Sequence, residues 1–312
     1  MRVLVAGATG AIGRPLLRML RERGHETFGT TRTKAKADAL RELGAEPVVC
    51  DALDRESLRQ AVCTAAPEAI VNQLTDLSAP LNPRKYAQWL EPTNRLRTEG
   101  TRNLAEAAGE ARTRLLVSQS VAFAYRWDGD GLKTEDDPLF GDAPGGFDRA
   151  VAAVRELERH TLETPGLDGI VLRFGYFYGP GTSYARDGQL AAMTLKRQFP
   201  IVGSGTGRFS FVHIEDAAAA TLAALERGRP GVYNVVDDDP AEMREWLPAY
   251  AESLGAKPPR RVPRFLARLV ANRFMADSSV ELRGASNAKA KRELGWQPRR
   301  TSWREGFRDT PG

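Results

Sequence analysis

The sequence predicts a doubly wound α/β fold with a parallel sheet and a smaller C-terminal region. Three observations carry this. The first 20 residues read as an apolar strand, a glycine-rich turn and an amphipathic helix. Six short apolar runs then alternate with stretches of helical spacing, the pattern of successive βαβ units. Past Tyr178 the alternation breaks, and glycine and proline become frequent.

The first strand is Arg2-Val3-Leu4-Val5-Ala6, followed by Gly7-Ala8-Thr9-Gly10-Ala11-Ile12-Gly13. Pro15, Leu16, Leu17, Met19 and Leu20, interrupted by Arg14 and Arg18, make the helix. Gly7 permits a sharp turn off the strand, and Gly10 lets the backbone approach a pyrophosphate. Gly13 lets the helix pack close to the sheet. The helix N-terminus offers free N–H groups and partial positive charge to that phosphate. The bland alternative is an ordinary strand–helix turn, but the position between strand and helix makes the motif informative.

His25 to Gly29 is the second strand, ending at Thr30-Thr31-Arg32, with a helix through Leu43. Glu46–Cys50, Ala69–Asn72, Leu115–Ser118 and Gly169–Arg173 are the next four strands. Helices are expected from Asp54 to about Ala65, from Leu90 to Ala108 and from Ala150 to Leu162. Further helices lie near Asp216–Glu226, Ala241–Leu254 and Pro263–Phe274. Residues 1–175 are expected to form a dinucleotide-binding domain and 176–312 a smaller substrate-binding region. Residues 210–236 are expected to return to the first, through a strand at Val232–Val236.

The 312 residues are 42% hydrophobic and 27% charged, which suits a globular protein. No run of 18 apolar residues points to a membrane span. The N-terminus enters the first strand directly, so no signal peptide is expected. Cys50 and Cys63 make neither a disulfide framework nor a metal spacing, so a reducing cytoplasm is expected. The net charge is +5, but lysines and arginines are scattered among acids, without the basic block that nucleic acid would need. A phosphate-bearing cofactor or an acidic small-molecule substrate explains the balance equally well. No Ser-His-Asp, zinc or paired-carboxylate arrangement is present. His213 lies in an apolar strand and is expected to hydrogen-bond in the core.

These motifs together resemble the extended short-chain dehydrogenases/reductases, the group that contains nucleotide-sugar epimerases and dehydratases. The resemblance covers nearly the whole chain. It rests on Gly7–Gly13, Asp51, Thr98–Leu104, Ser118-Gln119-Ser120, and Leu172-Arg173 through Gly181. Phe211–Asp216, Tyr233-Asn234-Val235 and Leu294–Pro298 add to it. It implies a Rossmann-type fold, an NAD(P) cofactor and oxidoreductase, epimerase or dehydratase chemistry on a polar small molecule such as a nucleotide sugar or secondary metabolite. It also implies a homodimer through Leu96–Ala108 and Val151–Leu162.

Carried over by residue, Gly7, Thr9, Gly10, Ala11, Ile12 and Gly13 would cradle the pyrophosphate. Asp51 and Leu53 would meet the adenine, although Asp51 also reads as a helix cap. Gln73, Leu74 and Thr75 would line the nicotinamide ribose, and Ser118 and Tyr176 would flank the nicotinamide. The end of the second strand favours NADP over NAD. An acid there would accept from the ribose 2′-hydroxyl and repel a 2′-phosphate. This chain instead has Thr31-Arg32, with Lys34 and Lys36 close by and Arg14 beside the third glycine. The alternative is that Arg32 is a solvated loop residue.

The sequence departs from the family where proton transfer should occur. Family oxidoreductases use a serine with a Tyr-x-x-x-Lys pair. The serine polarises the substrate oxygen, the tyrosine moves the proton and the lysine lowers the tyrosine pKa. Ser120 fits the serine, but Phe147 and Val151 occupy the pair's spacing. Arg97 stands where the family often carries an asparagine, with Asn94 one turn earlier. Tyr176 and then Tyr125 are the candidate substitutes for the missing acid, with water as a third; Tyr178 reads as structural. Arg208 and Arg283 are candidate anion grips on the substrate side. The family arginine belongs one position after Arg208, where Phe209 stands, and a one-residue shift in an extended segment flips the side chain. Two readings follow: an NADP-dependent enzyme with a non-standard site, or a non-catalytic NADP-binding sensor.

Overall fold

A computed structural model describes residues 1–308. The first six strands are β1 (Arg2–Ala6), β2 (Glu26–Thr31), β3 (Glu46–Val49), β4 (Ala69–Asn72), β5 (Leu115–Val121) and β6 (Asp168–Phe174). A seventh, Gly231–Val235, pairs with β6 at the sheet edge. The order is Gly231–Val235, β6, β5, β4, β1, β2, β3, and every pair is parallel. This is the doubly wound Rossmann-type arrangement, and it aligns all seven carboxyl ends on one edge.

Alternation along each strand sends side chains to two covered faces. Val3, Val5, Val117 and Leu172 pack with Leu16 and Leu17 of α1 (Gly13–Glu22) and with the Ile214–Arg227 helix. Leu4, Ile70 and Leu116 pack with Leu58 of α2 (Arg55–Ala65) and with Leu104. Each fully buried leucine contributes about 1.5–3 kcal/mol. The C-terminal region has its own aromatic core, in which Tyr178, Phe211, Trp246, Tyr250 and Trp303 are almost wholly buried.

Several elements differ from expectation in ways that matter for the site. β2 runs to Thr31, because Thr30 and Thr31 continue the ladder opposite Val48 and Val49. β5 runs three residues past Ser118, in register with β6 as far as Val121 opposite Phe174. Ser120 therefore lies inside the strand rather than beyond it. The Leu90–Ala108 stretch forms helix over Glu91–Arg95 and Thr101–Glu110, joined by a π-helical turn at Leu96–Gly100. Such turns concentrate at functional sites. The next helix starts at Phe147, and the Pro263–Phe274 stretch divides into Arg264–Val270 and Arg273–Glu281. Among the described residues no helix is long and apolar enough to cross a membrane.

Candidate active site

The glycine turn has the shape that its spacing demands. Gly7 has φ +87°, and a Cβ there would lie 2.5 Å from the Gln73 carbonyl oxygen. A Cβ on Gly13 would collide with the Ala8 carbonyl. Gly10 is exposed, with only the Gly7 carbonyl oxygen near its missing side chain, at 3.2 Å. The loop therefore presents bare backbone at the start of α1, with Ile12 buried beneath it and Thr9 and Ala11 half-buried. Across the turn, the Gln73 side chain is buried yet neither amide atom has a partner among the described residues. Buried amides are normally satisfied, so the bare loop and the orphaned amide fit a bound dinucleotide.

The remaining cofactor candidates ring this loop. Asn72 holds the backbone N–H of Leu74 at 3.2 Å and is itself tied to Thr101, which fixes the turn carrying Gln73, Leu74 and Thr75. Asp51 is exposed and accepts from the Leu53 N–H at 3.0 Å. Asp54, not Asp51, caps the following helix by accepting from Ser57. Arg32 projects from the end of β2, 68% exposed, with a guanidinium nitrogen 3.6 Å from Asp76. Arg14 is exposed and donates to the Thr9 carbonyl at 3.3 Å.

The two serines and Tyr125 are wholly or almost wholly buried. The Ser118 and Thr161 hydroxyls pair at 2.8 Å, and Ser118 is fully buried. Ser120, also fully buried, donates to Glu158 at 2.7 Å. Glu158 also accepts from Arg173 Nε at 2.8 Å and Nη2 at 2.6 Å. Tyr125 extends this network, donating to Asn234 at 2.7 Å and accepting from Arg173 at 2.8 Å. Burial pushes the Tyr125 hydroxyl up to about 12. The structure thus places Ser118, Ser120 and Tyr125 in buried polar contacts, because the longer β5 turns both serines toward the Phe147–Leu162 helix. Gln119, between them, faces the other way and is half-buried.

Tyr176 lies instead against an aromatic chamber. Its ring stacks on Phe123 at 4.7 Å and leans on Phe209 at 5.1 Å. Phe147 closes the far side, stacked on Phe274 at 3.7 Å and 6.3 Å from both Phe123 and Tyr86. Val151 is fully buried, and so, nearly, are Ala150 and Val154. The exposed Arg208 points to solvent while Phe209 turns inward, as the one-residue shift implies. Arg283 donates to the Trp127 carbonyl at 3.0 Å and, with Phe123, Tyr176 and Ser210, lines a small cavity. His213 is buried; its Nδ1 caps the following helix by accepting from Glu215 N–H at 3.2 Å and lies 3.1 Å from Arg300. Among the described residues no group of three or more acidic, histidine or cysteine side chains could hold a metal.

Sequence reasoning treated Arg97 as a departure and did not single out Tyr86. Arg97, in the π-helical turn, is only 8% exposed, and among the described residues no hydrogen bond or ion pair satisfies its guanidinium. Burial pushes it down to about 10, with Tyr86 and Glu158 pulling the other way, so it stays charged at neutral pH. Tyr86 is pushed up to about 12 by burial, against the pull of Arg97. The one available signal was a charged residue at an otherwise buried helix position, between Leu96 and Gly100.

The sequence profile of the NAD dependent epimerase/dehydratase family matches residues 3–235. A 3-diazoavenalumate denitrifying reductase from a Streptomyces species is 47% identical over 310 residues, covering 98% of this chain and 99% of its own. A 4-hydroxy-2-methyl-3-oxo-4-farnesyl-3,4-dihydroquinoline-1-oxide ketoreductase from Stigmatella aurantiaca is 28% identical, over 82% of this chain and 74% of its own. Among solved structures, the UDP-glucose 4-epimerase of Thermotoga maritima superposes with a TM-score of 0.76 at 22% identity, covering 99% of this chain and 97% of its own. A human epimerase family protein with NADPH gives 0.77 at 24%, covering 99% of both chains.

Proposed function

The chain belongs to the NAD dependent epimerase/dehydratase family and is an NAD(P)-dependent enzyme of the short-chain dehydrogenase/reductase superfamily; from that premise we propose that it is an NADPH-dependent reductase that replaces the diazonium group of an aromatic substrate by hydrogen. The observation that carries this is the 47% identity, end to end, with a reductase whose name describes loss of nitrogen from a diazo compound. The site supports the reading through what it lacks. Reducing a ketone leaves an alkoxide that needs a positioned acid. A diazonium is already cationic: hydride neutralises it, the carbon–nitrogen bond breaks, a carbon–hydrogen bond forms, and dinitrogen leaves. No proton is consumed, so the Phe147, Ala150, Val151 and Val154 face of the helix is no handicap.

The reduced nicotinamide supplies the hydride. Gly7, Thr9, Gly10, Ala11, Ile12 and Gly13 hold the pyrophosphate, Asp51 and Leu53 the adenine, and Gln73, Leu74 and Thr75 the ribose. Arg32, with Arg14 near the loop, selects the 2′-phosphate; the absence of an acid at the end of β2 supports NADP. Tyr176, Phe123, Phe147 and Phe209 offer flat apolar surface to an aromatic ring and keep water from the cationic group, while Ser120 and Tyr125 act as buried supports. Phe209 at the inward position, with Arg208 outside, favours such a ring over a nucleotide-sugar phosphate. Two free cysteines suit a reducing cytoplasm.

The test is turnover of a carboxylated benzenediazonium salt with NADPH, following cofactor oxidation and dinitrogen by mass spectrometry. One dinitrogen released per NADPH oxidised is expected. Cofactor oxidation with simple ketones and none with the diazonium would overturn the proposal.

A further inference from the structure

The proposed function does not account for the buried Arg97. A guanidinium this deep is costly unless it is paired, because desolvation is several kcal/mol per ion. Glu158, the acid whose charge it feels, is already committed to Arg173 and Ser120. The tyrosines around it are in a similar state. Tyr86, Tyr176 and Tyr184 have no hydroxyl hydrogen-bond partner among the described residues. Tyr184 is 6% exposed. The groups share one neighbourhood: Tyr86 stacks on Phe147 and Tyr176 on Phe123, two rings 6.3 Å apart, Tyr176 and Tyr184 both pack on Phe211, and the π-helical turn that carries Arg97 packs on the helix that Phe147 opens. One buried cation and three unused hydroxyls thus lie around the chamber, and among the described residues no acid is free to pair with the cation.

We propose that Arg97, assisted by the hydroxyls of Tyr86, Tyr176 and Tyr184, is an anion subsite that grips the carboxylate of an aromatic acid substrate. The assignment rests on the reductase reading for its substrate but on its own geometry for the anion. A guanidinium presents paired N–H donors to a planar carboxylate, and the tyrosine hydroxyls donate to the remaining lone pairs. The faces of Phe123 and Phe147, tilted by 32° to each other, then hold the ring. Occupation by a carboxylate would neutralise the buried charge and satisfy donors that are otherwise idle. It would also orient the ring, since its carboxylate end is fixed at Arg97. The opposed possibility is that Arg97 stands in for the missing lysine and serves the cofactor ribose.

The experiment uses the NADP-loaded protein, with cinnamate and methyl cinnamate as probes followed by calorimetry. Cinnamate should bind and the ester should bind about 10- to 100-fold more weakly, the scale of a charge-assisted hydrogen bond. Arg97→Met should remove that discrimination, Arg97→Lys should restore part of it, and the affinity for NADP should not change in either. Arg97→Met relieves a buried charge, so it is expected to fold; a melting temperature at or above that of the unmodified protein checks this. Equal binding of acid and ester, or loss of NADP affinity with cinnamate binding intact, would overturn the subsite. The reductase reading stands or falls separately. A diazonium salt without a carboxylate should be reduced with a raised KM. If no diazonium is reduced while cinnamate binding still depends on Arg97, the subsite stands and the reaction is wrong.

Discussion

Ser120 donates its hydroxyl hydrogen to Glu158 at 2.7 Å, and both residues lie out of reach of solvent. Glu158 keeps its two bonds to Arg173 if that hydroxyl is removed. Ser120→Ala is therefore expected to cost about 1 kcal/mol of stability and to leave turnover close to that of the unmodified protein. A serine that served proton transfer would instead cost about 10²–10⁴-fold. Glu158→Ala strands Arg173 without its anion and is expected to cost about 3–5 kcal/mol. Chemical denaturation of both variants, with turnover measured on the folded protein, separates the supporting role from a catalytic one.

Arg32 is expected to set cofactor choice. Its exposed guanidinium, 3.6 Å from Asp76, is free to turn toward a 2′-phosphate at the end of β2. Arg32→Ala should weaken NADP by about 1–3 kcal/mol and leave NAD nearly unchanged. Asp76→Asn removes a competing anion and should strengthen NADP. Calorimetry with both cofactors reads both effects, and equal losses for NAD and NADP would show that Arg32 does not contact the 2′-phosphate.

The fold and the phosphate loop were legible because they rest on local signals. The β4 range Ala69–Asn72 is marked by the apolar run Ala69-Ile70-Val71 after Pro67, and Gly7 and Gly13 mark the turn by their spacing between a strand and a helix. The interior of the site was not legible in the same way. Ser120 looks like a residue beyond a strand end, and only pairing with β6 as far as Phe174 shows that it lies inside it. Tyr125 reads as a loop aromatic until Asn234, more than a hundred residues away, is seen accepting its proton. Arg97 reads only as a departure from the family asparagine, because burial of a charge depends on what packs over it.

His213 provides a pH test. Burial and then the nearby Arg300 push its pKa down to about 4, from an unfolded value of 6.5. Between these values the unfolded chain binds a proton that the folded protein refuses, so stability falls as the pH falls from about 6.5 and levels off below about 4. The full loss is about 3 kcal/mol, at 1.36 kcal/mol per pH unit. Denaturation midpoints across this range should show the slope, and His213→Gln should flatten it. A slope unchanged in that variant would assign the acid sensitivity to other groups.

The expected homodimer is tested by light scattering. The family arrangement pairs the Leu96–Ala108 and Val151–Leu162 helices. Around them, exposed charges are held in the Arg95–Glu99, Arg149–Glu91 and Arg159–Glu156 pairs. A dimer through these faces would be rimmed by charge and should weaken on reversal of Arg149 or Arg159. A monomer at micromolar concentration would count against this arrangement.

Restoring the family tyrosine should not restore family chemistry. The Phe147 ring is stacked on Phe274 at 3.7 Å and is 2% exposed. A hydroxyl added by Phe147→Tyr enters a packed aromatic cluster, where an unsatisfied donor costs about 1–3 kcal/mol. Val151 supplies no charge to lower its pKa, and burial would raise it further. The variant is therefore expected to be less stable, to gain no ketone reduction, and to lose reduction of the aromatic diazonium in proportion to the disturbed ring surface. Adding Val151→Lys places an ammonium in the same core, which should deepen the loss of stability. Ketone turnover by Phe147→Tyr alone would mean that Arg97 already provides the positive charge of a working relay, and the hydride chemistry would then be that of an ordinary ketoreductase.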